Sequence, residues 1–220
     1  MERVIIKTAD GSDSLYVKDL NEHYHSIHGA VQESEHVFID AGLKYISARN
    51  KNISVLEIGF GTGLNAFLTY IESSKLDLII NYTALETYPL EMDLIEKLNY
   101  AECLNEEKNI LKTIHACDWE KEIAVSNFFI LHKIKNSLQK IILSDSYDLI
   151  YFDAFGPNVQ PEMWTEELFS KLFSALKPEG VLVTYCAKGE VKRILKRVGF
   201  DVESLKGPPG KREMVRANKK

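Results

Sequence analysis

A chain of 220 residues, 45% hydrophobic and 27% charged, fits one α/β domain or two very small ones. That composition excludes wholesale disorder, a collagen-like repeat and a coiled coil, and no apolar run reaches the roughly 18 residues of a membrane span. The net charge of −5 is unevenly spread: from Cys186 to Lys220 there are eleven Lys or Arg against four Asp or Glu, so an anionic partner is expected there, unless the segment is a solvated face.

The N-terminus lacks an apolar stretch followed by small residues, so no signal peptide is read. Residues 1–20 read as a hairpin: Ile5 and Lys7 alternate, Ala9-Asp10-Gly11-Ser12 supplies turn chemistry, and Leu15 and Val17 alternate again. Residues 21–50 read as mostly helical, with a polar start around His23–His28 and an apolar stripe of Val37, Phe38, Ala41, Leu43, Tyr45 and Ile46. Residues 1–50 are thus expected to be a hairpin and helical extension packed on a core domain at 51–220.

From residue 53 the pattern changes. ISVLEIG is a first strand, and Leu64, Phe67, Leu68 and Ile71 at helical spacing predict a helix after it. LDLIINYTALE is a second strand, and PLEMDLIEKLNY a helix with Pro89 in its first turn. KTIHACDW is a third strand, and YDLIYFDAF a fourth, nearly all apolar as in a strand covered on both faces. EELFSKLFSALKPEG is a helix stopped by Pro178 and Gly180. GVLVTYCA is a fifth strand, EVKRILKRVGF a basic amphipathic helix, and DVESLKG with REMVRA a closing antiparallel pair. The alternation predicts a Rossmann-like, mainly parallel, doubly wound sheet, with the C-terminal ends of its strands along one edge.

The polar candidates fall at those ends. Glu57 precedes Gly59, Gly61 and Gly63, at the turn from the first strand into its helix. The spacing is G-x-G-x-G rather than the G-x-G-x-x-G of a dinucleotide loop, which argues against NAD. It suits a cofactor without phosphates that has an amino acid portion, whose ammonium would donate to Glu57. Glu86 ends the second strand, where doubly wound folds place an acid on ribose hydroxyls. Asp118 and Trp119 end the third; they would take the exocyclic amine and the face of an adenine, or else be a helix cap and a core tryptophan. Asp153, flanked by Phe152 and Phe155, ends the fourth beside the point where a second substrate would meet the cofactor. Together these predict an S-adenosylmethionine site in a class I methyltransferase. Cys103, Cys117 and Cys186 are odd in number with no CxxC, which speaks against a disulfide framework or a zinc ribbon and for the cytoplasm. His23, His25 and His28 have no carboxylate or cysteine at convincing metal spacing, so no metal is expected.

Over about residues 14–217 the chain resembles the methyltransferase domain of the MnmC family, named for tRNA 5-methylaminomethyl-2-thiouridine biosynthesis. The segments that carry it are QESEHVF at 32–38, EIGFGTGLN at 57–65, ETYPL at 86–90, FDAFGP at 152–157, PEMWT at 161–165, TYCAKGEVKR at 184–193 and KREM at 211–214. The bifunctional members carry a second, flavin-dependent half for which 220 residues have no room, so only methyl transfer is implied. The resemblance implies N-methylation of a 5-aminomethyl group on the wobble (2-thio)uridine of tRNA; Asp153 is the candidate to orient the amine and accept its proton, directly or through water. Phe155 and Trp164 are then candidates to stack on the extruded base, unless they are core packing of the PEMWT turn. Lys188, Lys192, Arg193, Lys211 and Arg212 are candidates for phosphate contacts, and Glu33 and Ser34 for a lid on the cofactor. Three other readings remain: a methyltransferase for a small-molecule amine, an aminopropyltransferase using decarboxylated S-adenosylmethionine, and a noncatalytic module that binds tRNA or cofactor.

Overall fold

The structure is a computed structural model that describes residues 2–144 and 146–220. Its centre is an eight-stranded sheet. In chain order the strands are β4 (Asn52–Ile58), β5 (Ile79–Leu85), β6 (Glu122–Ser126), β7 (Phe129–Ile134), β8 (Tyr147–Phe152), β9 (Leu176–Thr184), β10 (Asp201–Lys206) and β11 (Glu213–Asn218). They lie side by side as β10-β11-β9-β8-β4-β5-β7-β6. The five strands from β9 to β7 run parallel to one another, while β6, β10 and β11 pair antiparallel. This is the doubly wound, mainly parallel sheet that the sequence predicts.

Strict alternation sorts the strand side chains onto two faces. Val55, Leu149, Tyr151 and Val183 join one buried cluster with Val37, Phe38 and Phe67. Leu56, Ile150, Phe152 and Leu182 join another with Leu168, Phe169 and Leu195. The first cluster is covered by α3 (Leu64–Lys75) and by a long helix. That helix comprises α1 (Ala30–Ser34), a wide-turned π stretch (Glu35–Leu43) and α2 (Lys44–Ser47). A Cβ at Gly42 would lie 3.1 Å from Val183 Cγ2 and 3.3 Å from Tyr151 Cε1, so this helix rests directly on the sheet. The second cluster is covered by α7 (Glu166–Ala175) and α8 (Gly189–Val198), which buries Val191, Ile194 and Leu195 and turns its basic residues outward. The N-terminal strands β1 (Arg3–Lys7), β2 (Asp13–Val17) and β3 (Glu22–His23) form a separate small sheet.

Four local expectations change. The helix expected over 21–50 starts at Ala30, because residues 22–23 pair with β2. PLEMDLIEKLNY makes two short helices, α4 (Met92–Ile95) and α5 (Tyr100–Leu104), both beyond Pro89. α7 stops at Ala175, and the KPEG segment lies within β9 at a register shift where Glu179 has φ +63°. KTIHACDW is not a strand. Lys108–Ala116 is α6, burying Leu111, Ile114 and His115 at i, i+3 and i+4, and the third parallel strand is β7.

Candidate active site

The C-terminal ends of β4, β5 and β8 open into one cavity of about 500 Å³, in the range of small-molecule sites. Its floor is the turn after β4. Gly59 has φ +92°, and a Cβ there would lie 2.7 Å from the carbonyl oxygen of Asp153, so β8 can end against the turn only if residue 59 has no side chain. Behind the turn, His115 Nε2–H donates to the Thr62 carbonyl at 2.9 Å, and Lys133 Nζ donates to the His115 carbonyl. Lys133 is buried, with its ammonium over the rings of Trp119 and Phe60, and burial lowers its pKa to about 8.

Glu86, the first residue past β5, lines the cavity and is held against the glycine turn. The Gly61 N–H donates to Oε2 at 2.9 Å and the Tyr88 N–H to Oε1 at 2.8 Å. Both oxygens keep lone pairs for a ligand diol. Glu86→Ala is expected to weaken cofactor binding by roughly 1.5–3 kcal/mol, the range for a charge-assisted hydrogen bond. Calorimetry giving an unchanged Kd would take Glu86 out of the site.

Glu57 is placed differently from expectation. Its side chain is fully buried on the α3 face of β4 and does not line the cavity. Asn65, in the first turn of α3, stands between it and the cavity: Nδ2 donates to Glu57 Oε1 at 3.0 Å and to Asp153 Oδ2 at 2.9 Å. Burial pushes the Glu57 carboxyl well above the usual carboxylate range, and the nearby Asp153 adds to this. Asn65 lines the cavity, and its Oδ1 has no hydrogen-bond partner among the described residues. Glu57 is therefore not presented to the cavity, whereas Asn65 and Asp153 are.

Asp153 is half-buried at the cavity wall. Burial raises its pKa to about 7; the Asn65 hydrogen bond works against that rise, Glu33 adds to it, and Lys211 opposes it. A carboxylate with its proton affinity near neutral and its orientation set by a neighbour is equipped for proton transfer.

Asp118 and Trp119 are away from the cavity. Asp118 is exposed and paired with Lys121 at 2.8 Å, and Trp119 packs edge-on to Phe60 behind the glycine turn. Because β7 is the third parallel strand, it is the segment after β7 that reaches the cavity, with Asn136 and Leu138. Trp164 is buried, with its indole N–H on the Phe155 carbonyl at 2.8 Å and its ring against Phe152, so it props the Phe155 loop and offers no face to a base. Phe155 does line the cavity, edge-on to Tyr24 at 5.3 Å. Glu33 lines it too, whereas Ser34 is fully buried outside it.

The five basic candidates divide. Lys211 points into the cavity wall against Glu33, and Lys192 is paired with Glu213 at 2.5 Å. Lys188 is exposed beside Asn158, and Arg193 and Arg212 are exposed. The small N-terminal sheet closes the cavity from the side. Arg3 donates to the Tyr24 hydroxyl and to the Tyr88 carbonyl, both at 3.2 Å. The sequence does not single out Asn65 and Tyr24, which line the cavity, or His115 and Lys133, which brace the turn behind it. Only Asn65 carried a signal, as a polar residue on the apolar side of α3. Among the described residues no helix is long and apolar enough to cross a membrane.

The chain is 26% identical over 213 residues to the tRNA 5-methylaminomethyl-2-thiouridine biosynthesis bifunctional protein MnmC of Campylobacter hominis, covering 92% of this chain and 31% of that protein. It is 31% identical over 209 residues to the protein of the same name from Leptospira borgpetersenii, covering 87% and 31%. The chain thus spans about a third of the length of these relatives. The crystal structure of MnmC2 from Aquifex aeolicus superposes with a TM-score of 0.80 at 25% identity, over 100% of this chain and 70% of that one. Spermidine synthase from Thermotoga maritima, at 15% identity and a TM-score of 0.56, shares the fold alone. Residues 93–220, more than half of the chain, match the model of a family described as S-adenosyl-L-methionine-dependent methyltransferase, and the protein belongs to that family.

Proposed function

We propose that this chain methylates the amine nitrogen of a 5-aminomethyl group on the wobble (2-thio)uridine of tRNA, giving the 5-methylaminomethyl nucleoside. The observation that carries the reading is Asp153: a carboxylate with raised proton affinity, aimed by Asn65, at the strand end where acceptor and cofactor would meet. The names of the MnmC relatives supply the substrate class.

The cavity's residues fit S-adenosylmethionine: Glu86 would take a diol, the glycine turn beside Asn65 the amino acid end, and Tyr88, Asn136 and Leu138 a base. When bound, that cofactor supplies an electrophilic sulfonium methyl. The acceptor must arrive with a free lone pair. For an amine of pKa about 9, reaching the neutral form near pH 7 costs roughly 2.7 kcal/mol at 1.36 kcal/mol per unit. Asp153 orients the amine by accepting an N–H. As the amine becomes methylated, Asp153 would take the proton shed by nitrogen, directly or through water. Holding nitrogen, carbon and sulfur in line contributes up to roughly 7–11 kcal/mol. Phe155, which lines the cavity, would flank the extruded base.

Incubation with methyl-labelled S-adenosylmethionine and tRNA bearing 5-aminomethyluridine, followed by nucleoside analysis, tests the reading. Label in 5-methylaminomethyluridine is expected. Label only on a small polyamine, or none on RNA, would reject it.

Phosphate contacts are assigned to the exposed cations of α8 and the β10–β11 turn. Reversing Arg193 and Arg212 to Glu is expected to raise the tRNA KM at least about tenfold at physiological salt and to leave cofactor affinity alone. The slope of log K against log salt should flatten by about one to two. An unaltered slope would make these residues a solvated face.

A further inference from the structure

Beyond Asp153 the cavity is closed by two segments that are 178 residues apart in the chain. Glu33 of α1 accepts the Ser26 N–H on Oε2 at 2.7 Å and Lys211 Nζ on Oε1 at 2.5 Å. Its side chain is only 8% exposed and that of Lys211 31%. Lys211 Nζ also lies 3.9 Å from the centroid of the Tyr185 ring, and the Tyr185 hydroxyl donates at 2.8 Å to the carbonyl of Ala154, the residue after Asp153. The β10–β11 turn is seated firmly: His36 Nε2 meets the Lys206 carbonyl at 2.7 Å, and a Cβ at Gly210 would overlap the His28 ring. Lys211 is therefore built into the wall, unlike the exposed Arg212 beside it.

We propose that Lys211 is a positioning residue for the acceptor amine: it neutralises Glu33, so that the amine and its proton are directed to Asp153. The proposal rests on the methyl-transfer reading above. An amine lodged between two free carboxylates is held as its ammonium, which has no lone pair to give. A cation on Glu33 removes that trap while leaving Asp153 free. The charged and titratable groups around Asp153 come from every element packed there: Glu57 of β4 behind Asn65, Glu33 of α1, Tyr185 after β9 and Lys211 of the β10–β11 turn. Glu22, Glu86, Arg3, His23, Tyr24 and His25 line the same cavity, and buried His25 interacts with both Glu33 and Lys211. Of these, Glu33 raises the proton affinity of Asp153 and Lys211 lowers it.

The test follows the Asp153 carboxyl by carbon-13 NMR of aspartate-labelled full-length protein with no acceptor present, assigned with Asp153→Asn. Lys211→Met is expected to move the midpoint up by about one pH unit, Glu33→Gln to move it down, and Lys211→Arg to keep it within a few tenths. With tRNA bearing 5-aminomethyluridine, the acid limb of kcat/KM should move in the same order. Lys211→Met should lose about tenfold at pH 7 and recover at higher pH. Midpoints that stay put in both Lys211→Met and Glu33→Gln would reduce the pair to a structural clamp and overturn the proposal. Should Lys211→Met not fold, the isosteric Glu33→Gln still gives the opposite, diagnostic sign. Shifted midpoints with wild-type protein inert on that RNA would instead overturn the choice of acceptor.

Discussion

Asp153→Asn is expected to lower kcat by about 10²–10⁴, the span for a positioned general base, while cofactor affinity changes by less than about tenfold. The wild-type rate should rise with pH through about 7 as Asp153 ionises. The Asn variant should lack that limb and recover in part at high pH, where more of the amine is already neutral. The same substitution should stabilise the fold. A carboxyl whose folded-state pKa is raised works against folding above that pKa, and the cost fades as pH falls through about 7 toward the ordinary carboxylate range. Asp153→Asn should therefore gain about 1–2 kcal/mol at pH 8, a rise in Tm of about 2–8 °C, and little at pH 5. Single-turnover assays and melts at the two pH values check both halves. Near-normal turnover at neutral pH would leave Asp153 as a turn residue, and an equal Tm gain at both pH values would refute the charge account.

Gly59→Ala is expected to raise the cofactor Kd at least about 10²-fold and to lower Tm. A side chain at φ +92° costs roughly 1–2 kcal/mol, and here the Cβ would also sit 2.7 Å from a backbone oxygen of Asp153, which no rotamer change relieves. Gly11→Ala is the matched control, because Gly11 has φ +84° but nothing within 4 Å of its Cβ. The control should show the strain alone and bind cofactor normally. Identical melts and affinities for the two variants would show that the close approach of β4 and β8 has no energetic consequence.

What could be read from the chain follows from which signals are local. β4, β5, β8 and β9 are apolar runs long enough for strands and bounded by turn residues, and their order implied the sheet edge where Gly59, Glu86 and Asp153 meet. β7 is hidden because His132 and Lys133 break its apolar run; Lys133 is in fact buried against two aromatic rings, a state no local pattern announces. With β7 hidden in this way, the α6 segment looks like the third strand, and Asp118 and Trp119 fall at a strand end they do not occupy. Glu57 was a readable miss. It shares the period-2 face of Val55, which lies under α3, so alternation alone points it into the core. Lys211 was not readable, because its partner is 178 residues away and a basic tail looks alike whether it faces solvent or a cavity.

The position of β11 has a consequence for how the protein is made. The last strand of the chain is not at the sheet's margin; it slots between β9 and β10, which has no other partner in the sheet. A chain emerging from the ribosome can assemble β4, β5, β7 and β8, and with them the glycine turn, Glu86 and Asp153, before β11 exists. Lys211, two residues ahead of β11, comes into place only when that strand docks. On the methyl-transfer reading, the residues that would hold the cofactor are thus in place before Lys211, which joins them with the closing of the sheet.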